Sequence, residues 1–442
     1  MNITRTTLPN GLRVVVCPMH TTEMVAVNVL YQVGSRNERP ERTGFAHLFE
    51  HLMFGGTERY PDYDTVLQQA QGENNAFTTQ DYTDYYITLP AKNLSLALDL
   101  ELDRMAGLAF TPHSLEVQRK VVMEEFKQTC INQPYGDLQH LMSRLAFGTP
   151  TTDGQPNVCE HPYSWPVIGL ELSHIADATM EQVKDFFHQH YRPDNAILVV
   201  TGNVEAPLQL PPLGGEMIHP HTLLPDVHFT PLPHRAIAES ERLATEGRMA
   251  RLGESPGRRL TVHRPVPQSL LLMSFYIPPR KDPDFQVCDM LSDVLANGKS
   301  SRLYHRLVEE KRLFLSVDAT VDGRLGTGQF YIEAIPADGI SMDVAEAAIW
   351  TELEALQNDL ISDKELQKLK NKYETNTSLY RTDYQRLAEQ LAYFEMLGDA
   401  RMILDDIPAY QSITAERLRS VAQRIFSREN SCVLHYLSGE ES

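Results

Sequence analysis

The stretch His-Leu-Phe-Glu-His at residues 47–51 constrains this chain more than any other part of its sequence. On a helix, His47 and His51 lie four positions apart, so both imidazoles project from one face and can reach a single metal ion. Glu50 lies on the same side, and apolar residues recur with the spacing of a packed stripe on the other. Those residues are Phe45, Leu48, Phe49, Leu52 and Met53. We therefore predict a helix near 45–54, ended by Gly55, with one buried face and one face for chemistry.

A catalytic zinc ion would need a third ligand, because such a site takes three protein donors and leaves one position open for water. The residues LEVQRKVVMEEFK at 115–127 predict a helix that can supply this ligand, with Ser114 as its N-cap. The adjacent Glu124 and Glu125 are both candidates. The plainer interpretation of the histidine motif is a solvent-exposed helix face that binds nothing.

Across nearly its whole length, the sequence resembles peptidase family M16, the inverted zincins that include pitrilysin and mitochondrial processing peptidase. The matching blocks occur in family order. They are TTLPNGLRVVV, GSRNERPERTGFAHLFEHLMFGGT, GENNAFTTQDYTDYYITLP, VQRKVVMEEF, HPYSWPVIG and NAILVVTGNV. The resemblance is to subfamily M16B, and it implies a LuxS/MPP-like metallopeptidase fold and a peptidase that holds one Zn²⁺ per chain.

The resemblance also implies roles for the motif residues. His47 and His51 bind zinc, and Glu50 is the general base that takes a proton from the attacking water. Glu125, the second Glu of VVMEE, is the third ligand, with Glu124 as the alternative.

One departure from the family pattern lies near the expected third ligand. Relatives often carry another Glu seven positions before that ligand, and here the position is Gln118. Gln118 shares a helical face with Glu125, so we expect it to donate a hydrogen bond to the groups around the metal. The change removes one charge near the metal and leaves the ligand set intact.

A second block, residues 72–86, resembles the strand edge on which family members bind substrate in extended form. The matching residues are Asn75, Ala76, Phe77 and Thr78. Backbone hydrogen bonds along such an edge hold any extended peptide, which gives affinity with loose sequence preference. Without the resemblance, an ordinary loop and strand with a turn-forming Asn pair is the simpler interpretation.

The second half of the chain lacks a pair of residues that self-sufficient family members use. Those relatives carry an Arg and, seven residues later, a Tyr that reach the catalytic centre. In the matching stretch LVEEKRLFLSV these positions are Val308 and Leu315. We therefore expect the zinc-bearing subunit of a heterodimer, whose M16-like partner supplies the Arg/Tyr pair. The alternative is that Arg302, Tyr304 or Arg306 does the same work in a self-sufficient enzyme.

Alternating and helical patterns place the chain in the α+β class, with two similar domains, each an antiparallel sheet with packed helices. In both halves two strands precede a helix, which indicates an ancient duplication. We expect a catalytic domain at 1–204, an irregular Pro/His-rich linker at 205–257 and an inactive domain at 258–442.

The predicted elements cover most of the chain. Strands are expected near 12–18, 24–33, 84–90, 196–202, 259–265, 269–277, 314–321, 328–335 and 431–437. Helices are expected near 45–54, 62–71, 93–107, 115–130, 136–146, 178–190, 283–296, 300–311, 342–358, 363–397 and 414–425.

Composition excludes some classes of protein. A net charge of −19 argues against a nucleic-acid partner. The five cysteines are scattered without CxxC spacing, so we expect reduced thiols rather than a disulfide framework. No signal segment or membrane-spanning run is recognisable, which predicts a cytoplasmic protein, or a periplasmic one if a signal peptide was removed.

We therefore predict a zinc endopeptidase that cleaves peptides or unfolded segments in a chamber formed with a partner subunit. Two alternatives remain. One is a non-catalytic assembly subunit of an M16-like complex, against which the intact HxxEH argues. The other is a zinc hydrolase of non-peptide substrates, against which the strand-edge block argues.

Overall fold

The computed structural model describes residues 1–150, 156–157, 161–208 and 257–439. These residues form two compact units, each drawn from three separate stretches of chain. Unit 1 takes its described residues from Met1–Thr129, Trp165–Leu232 and Thr377–Asp405. Unit 2 takes its described residues from Cys130–Ser164, Pro233–Asn376 and Asp406–Ser442.

Unit 1 is built on a six-stranded mixed sheet. Its strands are β1 (Thr4–Thr7), β2 (Arg13–Pro18), β3 (Met24–Tyr31), β4 (Glu73–Thr78), β5 (Thr83–Pro90) and β6 (Ala196–Gly202), in the spatial order β1-β2-β6-β3-β5-β4. The β2–β6 pair is parallel and the other pairs are antiparallel. β3 and β6 are buried along almost their whole length, which explains their continuous apolar sequences.

Unit 2 is built on a five-stranded sheet. Its strands are β7 (Arg258–Arg264), β8 (Leu270–Ile277), β9 (Phe314–Asp322), β10 (Gly328–Pro336) and β11 (Ser431–Ser438), in the spatial order β9-β10-β8-β11-β7. The β7–β11 pair is parallel and the others are antiparallel. A separate two-residue ladder joins Thr149–Pro150 to Pro156–Asn157.

Helices pack on both sheets. In chain order they are α1 (Phe45–Leu52), α2 (Tyr63–Gln69), α3 (Leu94–Ala106), α4 (Pro112–Phe126), α5 (Leu138–Phe147), α6 (Leu172–Ala176), α7 (Met180–His190), α8 (Pro283–Leu295), α9 (Met342–Asn358), α10 (Asp363–Tyr380), α11 (Tyr384–Leu397), α12 (Ile403–Ser412) and α13 (Ala415–Ile425). Lys127–Ile131 and Tyr304–Glu310 are π-helical. No helix in the described part of the chain is long and apolar enough to cross a membrane.

The predicted α+β class, with two sheets and packed helices, is confirmed, and each sheet also contains one parallel pair. The repeat is visible in the topology. Starting from one edge, β4-β5-β3-β6-β2 of unit 1 corresponds strand for strand to β9-β10-β8-β11-β7 of unit 2. The same partners are parallel in each unit, which supports a duplication.

Among the differences from the predicted helices, two have a cause in capping. The helix expected at 363–397 is two helices, because Asp383 ends the run and its side chain caps α11 by accepting from the backbone N–H of Arg386. The N-cap of α4 is Thr111 and not Ser114, since the Thr111 hydroxyl accepts from the Ser114 N–H in a capping box.

The division of the chain differs from the expected order of domains. Unit 1 includes α11, which packs on β3 and β6, and unit 2 includes α5, which packs on β7 and β11. Each of these helices had been expected in the other domain. The predicted linker at 205–257 lies outside the described residues except for 205–208 and 257. The boundaries at 204 and 258 stay predictions.

Candidate metal centre

Helix α1 begins at an unusual cap. Its N-cap is Gly44, whose φ of 85° lies in the left-handed region that favours glycine, and glycine offers no capping side chain. The buried carboxyl of Glu38 takes that role by accepting from the backbone N–H of Gly44 at 2.9 Å and of Ala46 at 2.8 Å. Burial raises the pKa of Glu38 to about 8. Glu38 thereby holds the start of the helix one residue before His47.

The apolar face of α1 is buried as predicted. Phe45, Leu48, Phe49 and Leu52 are each at most 5% exposed. The backbone carbonyl of Phe49 accepts a hydrogen bond at 3.3 Å from the hydroxyl of Tyr85 on β5. This packing leaves the His47, Glu50 and His51 face of α1 available for chemistry.

The opposite face of α1 meets α4 at three converging side chains. His47 Nε2 lies 3.6 Å, and His51 Nε2 3.4 Å, from the same oxygen, Glu125 Oε2. One donor atom from each of the three residues lies within 4.8 Å of the others. Donors each about 2.0–2.1 Å from a tetrahedral zinc ion are separated by roughly 3.3 Å. The His/His/Glu set therefore has the chemistry and the spacing to hold zinc.

The protonation states also suit a metal. Burial lowers the pKa of His47, which favours the neutral imidazole. The hydrogen bond from His51 lowers the pKa of Glu125, which favours the carboxylate, although burial opposes this. A neutral imidazole and an ionised carboxylate are the forms that bind metal ions.

Two other residues of α4 stand apart from this cluster. Glu124, the alternative third ligand, has a 62% exposed side chain whose carboxylate pairs with Lys127 Nζ at 2.5 Å. It is not brought together with the histidines. Gln118 is half-buried on α4, and its expected hydrogen bond stays a prediction.

Glu50 meets the last residue of β4. The Thr78 hydroxyl donates to Glu50 Oε2 at 2.7 Å. The sequence had indicated Thr78 as a substrate-binding residue, and it gave no sign of this bond because residues 50 and 78 lie on different elements. The Glu38 cap was missed for the same reason.

Strand β4 is the outermost strand of its sheet, paired on one side with β5. The exposed Asn75 turns its Oδ1 back to accept from the N–H of Ala76 at 2.8 Å. Phe77 packs edge-on against Tyr82 with ring centroids 5.8 Å apart. The predicted stretch therefore lies on a sheet edge, which leaves room for an added strand.

In unit 2, the positions that lack the Arg/Tyr pair are both apolar. Val308 lies in the π-helical segment and packs against the core. Leu315 is 51% exposed at a register shift of the edge strand β9. Neither side chain can donate a hydrogen bond.

Two of the three alternative donors, Arg302 and Arg306, are engaged within unit 2. Arg302 bonds to both carboxylate oxygens of Glu365, at 3.1 and 2.9 Å. Arg306 donates to Glu352 at 2.6 Å. These ion pairs count against the alternative in which either arginine serves catalysis.

Two family models match the sequence. One, described as insulinase (peptidase family M16), matches residues 13–150, and the other, described as the peptidase M16 inactive domain, matches 177–207 and 237–373. All residues of the candidate metal centre lie within the first match. The second match includes Val308 and Leu315.

Similar proteins are named as zinc proteases. Zinc protease PqqE of Helicobacter pylori is 30% identical over 368 residues, which cover 82% of this chain and 77% of that protein. An uncharacterized zinc protease of Streptomyces coelicolor is 26% identical over 433 residues, which cover 97% of this chain and 88% of that protein. The crystal structure of a protease from Helicobacter pylori has a TM-score of 0.81 at 25% identity, covering 98% of this chain and 99% of that one.

Proposed function

Because this chain belongs to peptidase family M16, we propose that it is a zinc-dependent endopeptidase that cleaves peptides or unfolded segments. The observation that carries the proposal is the convergence of His47, His51 and Glu125 beside Glu50. We take these three side chains as the ligands of one zinc ion per chain. Zinc held there supplies Lewis acidity, which polarises a scissile carbonyl and makes water nucleophilic near neutral pH.

The chain's own residues perform the proton transfers. Glu50 accepts the proton of the attacking water and returns it to the nitrogen of the leaving amine. It lies on the same helix as His47 and His51, so the anchoring of α1 by Glu38 and Tyr85 fixes base and ligands together. Burial of the apolar face of α1 adds to that rigidity.

The peptide is proposed to bind along β4. An extended chain that adds to this edge makes backbone hydrogen bonds with the outward groups of Ala76, and it displaces the Asn75 side chain from the Ala76 N–H. Such binding recognises the backbone of the peptide more than its side chains. It favours unfolded segments, since most backbone N–H and C=O groups of a folded substrate are already paired.

We further propose that the chain works with an M16-like partner that supplies an Arg/Tyr pair. This part rests on the apolar Val308 and Leu315 and on the ion pairs of Arg302 and Arg306. The predicted cytoplasmic location belongs to the same proposal, with the periplasm as the alternative.

A degenerate-peptide cleavage screen tests the function. The zinc-loaded chain is assayed with and without an M16-like chain from the same genome, and Glu50→Gln serves as the matched variant. Glu50→Gln should retain zinc and lose about 10²-fold or more in turnover, because a base rather than a ligand is removed. Absence of cleavage by the wild-type chain under both conditions, or full activity of Glu50→Gln, would refute the proposal.

A further inference from the structure

The hydroxyl of Thr78 is the one side-chain hydrogen-bond partner of the Glu50 carboxylate among the described residues. It donates to Oε2 at 2.7 Å, a normal length for a hydrogen bond between a hydroxyl and a carboxyl oxygen. This bond engages one of the two lone pairs of Oε2, whereas no described side chain donates to Oε1, so Oε1 is the more accessible oxygen for proton exchange.

The position of Thr78 is held by its surroundings. Thr78 pairs with Thr83 at the tip of the β4–β5 hairpin, and the Thr83 hydroxyl donates to the carbonyl of Val33 at 2.8 Å. The next residue of the tip, Thr79, accepts at 3.2 Å from the N–H of Ser35. A hydroxyl fixed in this way limits the rotation of the carboxylate that it binds.

The direction of the Thr78 side chain separates it from the peptide edge. Side chains alternate along a strand, so Thr78 shares a face with the buried Ala76, whereas Phe77 lies on the other face with Tyr82. A peptide that adds to β4 bonds to backbone in the plane of the sheet. The hydroxyl that reaches Glu50 lies out of that plane, against α1.

We infer that Thr78 is a positioning residue for Glu50 and not a contact for substrate. Its hydroxyl holds one carboxylate oxygen so that the other is presented for proton transfer in a constant orientation. The inference rests on the proposed peptidase function and deepens it. It also ties the base to the end of the strand along which the peptide is proposed to lie.

The test compares Thr78→Val, which keeps the shape without the hydroxyl, with Thr78→Ser, which keeps the hydroxyl. The zinc-loaded chain is assayed on a fluorogenic peptide that the wild type cleaves, with the partner chain where it is required. Thr78→Val should lower kcat about 10- to 100-fold, the effect of losing a hydrogen bond to a charged group, with KM within about twofold of wild type. Thr78→Ser should restore most of kcat, and all variants should hold equal zinc.

A second readout adds the affinity for peptide to the measurement of turnover. In the Glu50→Gln background, fluorescence anisotropy gives the Kd of the same peptide with and without Thr78→Val. We expect the two Kd values to agree within about twofold, and the residual rate to be no lower in the double variant, because the two residues act as one unit. If thermal melting shows that Thr78→Val is unfolded at the assay temperature, Thr78→Ala takes its place.

The outcomes separate the two levels of proposal. Wild-type kcat in Thr78→Val, or an equal rise in KM and in the Glu50→Gln Kd, overturns the positioning role and makes Thr78 neutral or a substrate contact. A wild-type chain that cleaves no peptide in any form overturns the peptidase function, and the role of Thr78 with it.

Discussion

Units 1 and 2 share a sheet topology and differ in what they place on it. In each unit two strands precede a helix, which is α1 after β2 and β3 and α8 after β7 and β8. The polar side chains of α8 are satisfied inside the unit. Asp284 pairs with Arg417 and Arg424, and Asp289 accepts from the hydroxyl of Tyr410. On α1, by contrast, His47 and His51 meet one shared carboxylate oxygen.

This difference shows that the shared strand order does not require the candidate metal centre. Unit 2 builds the same strand order with neutralised carboxylates in the helix that follows its second strand. Unit 1 instead gathers donors whose best common partner is a cation. The candidate metal site is thus an addition to a strand order that unit 2 forms without such a site among its described residues.

The two edge strands carry a second contrast. In β4 the Ala76 N–H is accepted by the neutral amide oxygen of Asn75, and in β9 the Ala319 N–H is accepted at 2.9 Å by the carboxylate of Asp318. A charged acceptor binds an N–H about twice as strongly as a neutral one. The edge of unit 1 is therefore easier for a peptide carbonyl to enter than the edge of unit 2.

Removal of a proposed ligand from unit 1 should have the largest effect. The purified chain should hold one zinc ion, and His47→Ala, His51→Ala or Glu125→Gln should each remove it and the activity with it. Glu124→Gln should keep the metal, because Glu124 pairs with Lys127 instead. Zinc per chain is measured by elemental mass spectrometry. Asp289→Asn in α8 is the control and should leave the zinc content unchanged. Loss of zinc in Glu124→Gln would instead identify Glu124 as the third ligand.

The next effect concerns what unit 2 lacks. A missing electrophilic donor typically costs about 10² to 10³ in kcat. With Val308 and Leu315 in place of Arg and Tyr, the zinc-loaded chain alone should turn over peptide slower than its heterodimer by that factor. A peptidase assay before and after addition of the M16-like partner measures this. Turnover of the lone chain equal to that of the pair would contradict the split enzyme.

The sequence predicts those features of the two units that depend on interactions between residues close together in the chain. The helix α1 and its buried stripe follow from spacing within a few residues, and so do most strands. The Thr78 bond to Glu50 joins residues 28 positions apart on different elements, so no periodicity reports it. The Glu38 cap is local, at six and eight residues from the N–H groups that it accepts from, but hydrophobic spacing carries no information about a polar side chain outside the helix. The parallel β2–β6 and β7–β11 pairs are long-range, like the Thr78 bond.

The sequence prediction also missed a local capping signal, because the helical periodicity continues through it. The helical period of 363–397 runs on past residue 380, and only the turn at Thr382 and the cap at Asp383 end the first helix. That break falls near the point where the chain passes from unit 2 to unit 1, at Asn376 and Thr377. A capping residue inside a long amphipathic run is therefore worth as much weight as the periodicity itself.

A smaller effect should follow from proline on the two edges. Ala76→Pro removes an edge N–H that is proposed to bind peptide, and the lost hydrogen bond should raise KM about tenfold at constant zinc content. Ala319→Pro removes the matching N–H of β9 and should leave KM unchanged, since proline is tolerated at outward positions of edge strands. Unchanged kinetics in a folded Ala76→Pro variant would mean that the peptide binds elsewhere.

The smallest effect is expected when the side chains that accept from the edge N–H groups, Asn75 in β4 and Asp318 in β9, are exchanged in type. Asn75→Asp gives β4 the charged cap of β9, so an incoming peptide carbonyl has to displace a stronger acceptor from the Ala76 N–H. We expect KM to rise about fivefold near pH 7.5, where the new carboxylate is ionised, with kcat and zinc unchanged. Asp318→Asn in β9 is the matched control and should not alter KM. If Asn75→Asp binds peptide as tightly as the wild type, the Asn75 cap does not control entry to the edge, and the contrast between the two strands has no bearing on substrate binding.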